Sequence, residues 1–477
     1  LLANGSSIGT ANTDASGQFS ISGVVVTNDA ILLYIDGDAT YDATTVSISP
    51  GGMLSNIDLY VDHVITRHDN AGALSNANMS TAKGAYVDTE ILYSVSGSAL
   101  TVSGAATELY LPTSHSYTPG GNVTTPNMET LGTFSGGTGS ITSSGALLVS
   151  GGTFTATSGT TSIGGAFTVS GGTYTHNSGT VTLAGTSSQA VSIGATSLNH
   201  VILNGGASNI ITVTGTLDIN GNLTATQLAT INTGTLTVAG NVTSTDASVD
   251  GSAMITFDGT GAQALGAGGG TGALPAVTIN KASGTLSLSD TIELDGSGGW
   301  TYTTGTVSAG TSTVVLNSAS SLPVSSGAMS FNNVTYNMGA STTVTITGTM
   351  DINGNLTLTA ADTINTGTMT VAGNLSSADS AVTGTAAITL DGTGAQSITA
   401  TSADLPNGTL PINKASGTAS LASNLTLNSA GQDLTVTAGT LDLAGFNLVL
   451  TSAGDVITVS NGATLQLQGG ETVTAST

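Results

Sequence analysis

Residues 215–224 read Gly215-Thr216-Leu217-Asp218-Ile219-Asn220-Gly221-Asn222-Leu223-Thr224, and Gly234-Thr235-Leu236-Thr237-Val238 repeats the opening 19 residues later, closing on Gly240-Asn241. Leucine and isoleucine alternate with polar residues, which is the period of a strand with one buried face. Glycine and asparagine then supply a corner, because both tolerate backbone conformations that other residues avoid. One such unit is too short to bury its own apolar side chains. Stacked on a copy of itself at about 4.8 Å, it pairs every strand and continues the core. Leu217/Ile219 and Leu236/Val238 are then inward pairs one coil apart, with threonine facing out.

The beat extends in both directions. Phe134, Phe154 and Tyr174 lie 20 apart, and GALLVSGGTF at Gly145 aligns with GAFTVSGGTY at Gly165. A longer period sits over the short one. TLDINGNLT at Thr216 recurs at Thr349, DGTGAQ at Asp258 recurs at Asp391, and INKASGT at Ile279 recurs at Ile412, every offset being 133. Trp300 falls the same distance after Phe167, which points to a packing role for the single tryptophan. Since 133 is seven times 19, the spacing predicts seven coils per super-repeat, and about 18 coils in all.

The expected fold class is therefore all-β: a right-handed parallel β-helix (β-solenoid) of about 19–20 residues per coil, preceded by a smaller β-rich, sandwich-like region. The expected domains are a sandwich-like module over 1–50, a connecting and capping region over 51–130, and the solenoid over 131–477. Within the solenoid the super-repeats are 167–299, 300–432 and a partial 433–477. In the first region Gln18–Ser22 and Ala30–Ile35 read as strands, and nothing keeps helical spacing for three turns.

Composition limits function. Of 477 residues only 28 are acidic and 4 basic, giving a net charge of −24. A nucleic-acid binder working through phosphates needs Lys/Arg clusters, and so does docking on an anionic membrane. No apolar run approaches the length of a membrane span, so membrane insertion is not expected. There is no cysteine, hence neither a disulfide nor a thiolate metal site. The opening Leu1-Leu2-Ala3 has no Met and no basic leader, consistent with a processed or longer polypeptide.

Repeats of the form GTLTVAGN, DGTGAQ and VTLAGT resemble those of giant secreted bacterial surface proteins, in the style of filamentous-haemagglutinin-like adhesins. The resemblance covers residues 131–477 and implies a stalk or fibre. Asn4 to Gly23, with Thr13-Asp14-Ala15-Ser16-Gly17-Gln18-Phe19, resembles the opening of a carboxypeptidase-regulatory-like β-sandwich module.

Candidate chemistry is sparse. Asp36, Asp38 and Asp42 place carboxylates on a turn, where clustered oxygens suit calcium and solvated acids are the plainer reading. His63, Arg67, His68 and Asp69 form the densest polar cluster. On a strand His63, Ile65 and Arg67 share a face while His68 takes the other, so an Arg–Asp bridge at an exposed edge is the expectation rather than a metal or catalytic site. Asp218/Asp351 and Asp258/Asp391 are repeat-equivalent and too far apart for a glycosidase pair. Lys281 and Lys414, the only cations after residue 83, read as solvated lysines, or as donors of an isopeptide bond to Asn or Asp. Asn-x-Ser/Thr triplets at Asn122, Asn222, Asn241, Asn333, Asn355, Asn374 and Asn424 read as corner chemistry, with glycosylation secondary. Between DGTGAQ and INKASGT the two copies diverge, so Ala264, Gly268 and Ala273, with Ser397, Asp404 and Asn407, are the expected lateral-contact loops.

The expected protein is a non-enzymatic, secreted or cell-surface structural element, a solenoid stalk or fibre subunit that self-associates through its ends or adjoins neighbouring domains. The alternatives are a module binding cell-surface glycans, which would need exposed aromatics, and a polysaccharide-degrading β-helix enzyme.

Overall fold

Alternation is realised in strand after strand. In Thr216–Ile219 and Thr235–Val238 the residues Leu217, Ile219, Leu236 and Val238 are buried, and the residues between them are not. A computed structural model, which describes residues 1–400 and 404–476, shows these strands stacked in parallel as a β-solenoid of about 21 turns with 2% helix. The chain divides into two compact units, Leu1–Leu223 and Thr224–Thr477.

In the first unit three ladders run side by side, one per side of the coil. One carries Val123 to Ile141, Thr161, Val181 and Val201. A second carries Leu109 to Met128, Leu147 and Phe167. The third carries Tyr117 to Phe134, Phe154 and Tyr174. In the third ladder like residues stack on like: the rings of Phe134 and Phe154 are 4.6 Å apart and those of Phe154 and Tyr174 are 5.4 Å apart, nearly parallel. Such pairs add about 0.5–1.5 kcal/mol each beyond the area they bury.

The parallel ladder begins earlier than residue 131. Thr44–Pro50 already pairs in parallel with His63–Thr66, and that strand with Glu108–Leu111. The step from Thr44 to Val64 is 20 residues, but the register His63↔Glu108 then skips a long insertion, which breaks the beat in the sequence. Ahead of them, Leu2–Ala3, Thr27–Tyr34 and Thr44–Pro50 pair antiparallel. Gln18–Ser22 alternates but forms no strand; the turn before it is closed by the Asp14 carboxylate, which accepts the N–H groups of Ser16 and Gln18.

The insertion holds a helix, Asn76–Lys83, that the sequence reading lacked. It has only two turns. Ser75 and Asn78 cap it reciprocally, and Asn76, Met79 and Ala82 are buried. The Asn76 amide donates to Ser98 O and Asn122 O, and Tyr117 donates to Asn76 Oδ1. The helix thus satisfies strand-end carbonyls where the coil is irregular.

In the second unit coils are longer and uneven. The ladder Leu236, Ile255, Val277, Trp300, Val324, Ile346 advances by 19 to 24 residues. Its sixth step reaches the strand Thr363–Asn365, whereas the repeat partner of Leu236 is Met369, in the following strand Thr368–Val371. A super-repeat is therefore not seven coils. It is six coils and one further side, and repeat-equivalent residues occupy different ladders. Trp300 is fully buried, edge-on to Phe331, with its N–H on Met329 Sδ.

Corner glycines also differ from expectation. Positive φ falls at Gly348 and Gly367, not at the Gly-Asn corner. At Gly354 a Cβ would lie 2.4 Å from Asn333 Oδ1, so this glycine is needed for close approach of successive coils. The asparagines run along the stack: Asn333 Oδ1 accepts the N–H of Asn355, Asn355 Oδ1 that of Asn374, and Asn374 Oδ1 that of Ser397.

Candidate functional site

Parallel register sets the first site. His63↔Glu108 and Ile65↔Tyr110 put His63, Ile65 and Arg67 beside Glu108 and Tyr110 on one outer face. The segment 51–62 straps across it: Thr45 Oγ1 donates to Asp58 O at 2.5 Å and Arg67 Nη1 to Asn56 O at 2.6 Å. Ile65 is left 3% exposed, although its side chain points away from the solenoid core. Between strap and sheet lies a cavity of about 250 Å³, lined by Asn56, Asp58, Tyr60, Ile65, Arg67, Tyr110, Pro112 and His115.

Tyr60, His63 and Tyr110 meet edge to face with centroids 5.7–5.9 Å apart. His63 Nε2 is 3.1 Å from Glu108 Oε2. Arg67 grips Asp69 with Nε and Nη2, and Ser47 donates to the same carboxylate. Burial raises the Asp69 carboxyl, but the Arg67 and Ser47 hydrogen bonds and the guanidinium charge outweigh it and hold the group below the usual carboxylate range. The expected Arg–Asp bridge is present, but Arg67 is buried rather than at an exposed edge. His68 donates its backbone N–H to His115 Nδ1, so the two histidines of the cluster have separate partners. His115 is held below its ordinary value by burial and then by Arg67. Tyr110 is raised by burial, then by the negative charge of Glu129; Tyr60 is raised first by Asp58.

The acidic turn assembles differently from its spacing. Asp36 joins Asp88 and Glu90, with carboxylate oxygens within 4.8 Å of one another. Asp38 instead caps its own turn, accepting from Thr40 and Tyr41, and neither it nor Asp42 joins this group among the described residues. Glu90 accepts Gly37 N–H and Asp88 accepts Tyr34 O–H. Three clustered carboxylates match what a hard cation such as calcium takes. Asp88 and Glu90 are brought in by the fold from some 50 residues away, which no local spacing reveals.

The divergent segments are only partly loops. Ala264 is exposed at a strand, Gly268 sits at positive φ in an exposed turn, and Ala273 is 0% exposed within the strand Thr271–Leu288. Ala273 is thus corrected from contact loop to core. Ser397 lies in the strand Gln396–Thr399, Asp404 accepts from the Asn428 amide, and Asn407 N–H donates to Gly384 O. Residues 401–403 of that segment lie outside the described residues.

The repeated motifs converge on something the sequence reading missed. Lys281 and Lys414 are 1% exposed, not solvated. Lys281 Nζ donates to Gly259 O, Gly261 O and Gln263 Oε1, so INKASGT closes onto DGTGAQ one coil below. Gln263 Nε2 in turn reaches Val238 O at 2.8 Å and Gly240 O at 2.5 Å, another coil down. Lys414 and Gln396 repeat every bond, onto Gly392, Gly394, Val371 and Gly373. Three N–H donors meet three acceptors. The hydrogen-bond partner is a glutamine, not the Asn or Asp expected for an isopeptide. Burial lowers both lysines, opposed by Asp258 and Asp391 respectively. The signal in the sequence was that DGTGAQ and INKASGT are both copied while the segment between them is not.

Two carboxyls elsewhere stand out. Asp295 is raised to about 6 by burial and then by Asp250 and Glu293. Asp391 is raised by burial and by Asp351, so acids from different motifs do come within each other's field although repeat-equivalent ones do not. Compared with known proteins, the chain matches no family model, no curated protein and no solved structure.

Proposed function

We propose that this chain is a structural β-solenoid of an extracellular surface fibre or stalk, without catalytic activity, that self-associates or adjoins neighbouring domains. The observation that carries the reading is where the copied residues go. DGTGAQ and INKASGT meet in buried lysine–glutamine braces, and the copied Asn corners bind coil to coil. Repetition is spent on holding the stack together rather than on presenting a surface.

Exposed apolar residues on strands of the second unit support the assembly part. Ile457–Val459 and Thr464–Gln466 pair on one side with Leu434–Asp442. Val459, Leu467 and Val473 are exposed on or beside strands of this unit, and apolar side chains on exposed strands favour pairing with another chain. A contact of that kind between copies is heterologous and propagates. Scarce charge and absent cysteine suit an exterior where oxidation and proteases act.

Electron microscopy and sedimentation of the purified chain test this across concentration. End-to-end chains that Val459→Lys and Leu467→Lys abolish are the expected result. Depolymerisation of a polysaccharide by the chain, lost in Asp295→Asn, would replace the structural reading with an enzymatic one.

A further inference from the structure

We infer that the cavity under the strap 51–62 is a binding site for a neutral sugar unit of a glycan. This does not rest on the fibre reading; it concerns a face of the first unit that the coil braces do not use.

The volume comes first. At about 250 Å³ the cavity falls just below the roughly 300 Å³ at which pockets for drug-sized molecules begin, so it takes about one ring. Its walls are of two kinds. Tyr60, 44% exposed, and Tyr110 are aromatic, and their mutual edge-to-face packing with His63 fixes the rings before any ligand arrives. Ile65 and Pro112 add apolar surface. A pyranose has an apolar C–H face that suits such a wall and a rim of hydroxyls that needs paired donors and acceptors.

Both are present. The Arg67 guanidinium has five N–H groups, of which three are engaged by Asp69 and Asn56, leaving two. His115 accepts at Nδ1 from His68, so its proton resides on Nε2 as a second kind of donor. Asp58 offers a carboxylate whose side-chain partner is Tyr60 O–H, at 3.4 Å. Adjacent sugar hydroxyls both donate and accept, which matches a carboxylate on one wall and a guanidinium on another.

Charge selects against the other candidates. Arg67 is neutralised by Asp69, while Asp58, Glu108 and Glu129 surround Tyr110. An anionic ligand such as a uronate, a sulfated sugar or a nucleotide enters a negative field. A cationic one suits that field but brings only donors, which leaves the Arg67 and His115 N–H groups without acceptors. A neutral polyol meets neither penalty.

The test uses the full chain on immobilised neutral hexose and N-acetylhexosamine oligosaccharides, with polygalacturonate and heparin as anionic comparators. Saturable binding to a neutral glycan is expected, weakened at least tenfold by Tyr60→Ala and by Asp58→Asn, both at exposed positions on the strap. Tyr41→Ala, an exposed tyrosine away from the cavity, leaves it unchanged. Circular dichroism confirms that each variant is folded. Binding that survives Tyr60→Ala, binding confined to the anionic polymers, or no binding by the folded chain to any neutral glycan of the set overturns the assignment.

Discussion

The two units build the same brace with different second partners. In the first, Gln189 Nε2 donates to Ile163 O and Gly165 O, as Gln263 does to Val238 O and Gly240 O in the second. Above the glutamine, however, the first unit places Asn209 and the second Lys281. Asn209 reaches Gln189 Oε1 only at 3.5 Å, and its own Oδ1 is buried without a protein partner. Lysine has three donors on a flexible stem and satisfies three acceptors of the coil below. The comparison teaches that glutamine is the constant element of the solenoid, while the group above it decides how firmly two coils are locked. The first unit compensates with its aromatic stack, where 20-residue coils put ring on ring.

If that division of labour is right, Phe154→Ala produces the largest loss. Phe154 is fully buried between Phe134 and Tyr174, and removing it opens a cavity and breaks two stacking contacts at once. The expected cost is about 3–5 kcal/mol, read from urea unfolding. Hydrogen exchange should place the loss in coils 134–174 of the first unit and leave the second unit protected, as nearest-neighbour coupling in a repeat array requires.

Lys281→Met comes next. It keeps the volume but leaves Gly259 O, Gly261 O and Gln263 Oε1 short of a donor. A cost of about 2–4 kcal/mol follows from stranding buried acceptors, and Lys281→Met with Gln263→Leu recovers part of it only if Val238 O and Gly240 O find water. Asn209→Ala in the first unit should cost about 1 kcal/mol. Equal costs at the two positions would remove the distinction drawn between the braces. Intact mass provides an independent check: the unmodified sequence mass is expected, because the ammonium is complete in its hydrogen bonds, and a loss of ammonia would mean a covalent lysine–glutamine link.

The alternating strands and the parallel stacking were legible in the sequence because each is a local signal repeated many times, whereas the left-handed backbone expected at the Gly-Asn corner falls instead at Gly348 and Gly367. What escaped was non-local. Lys281 looks like a surface residue in INKASGT until DGTGAQ from the coil below is folded against it. Asp36 finds Asp88 and Glu90 rather than Asp38 and Asp42, because a turn bends its neighbours apart while the fold brings a distant segment alongside. Helix 76–83 is too short for periodicity to reveal, although Ser75 and Asn78 mark its start. The 133-residue offset was real, but its factor of 19 was arithmetic: coil length varies from one rung to the next, and only the register shows where each step lands.

A smaller, pH-dependent effect belongs to the second unit. Asp295 is raised from an ordinary carboxylate value to about 6, so between roughly pH 4 and 6 the folded chain binds more protons than the unfolded one. Stability at this site therefore rises as pH falls from 7 through 6 and levels off near 4. Asp295→Asn should raise the Tm at pH 7 and flatten that slope, and thermal unfolding at a series of pH values measures both. An unchanged slope would mean that burial, with Asp250 and Glu293 beside it, does not raise Asp295.

The smallest expected change tests whether the corner ladder is structural or incidental. Asn355 sits mid-ladder: its N–H is accepted by Asn333, and its Oδ1 accepts from Asn374. Asn355→Ala keeps the backbone bond and removes one side-chain acceptor at an exposed corner where water substitutes, so the cost should be near 1 kcal/mol or below. Gly354→Ala, one residue away, is the sharper companion. Its Cβ would press on Asn333 Oδ1 and on the Asn332 carbonyl, so it displaces the coil beneath rather than deleting a bond. A larger loss for glycine than for asparagine means the corner is set by how closely two coils approach. The reverse order would make the asparagine amide the element that sets the spacing.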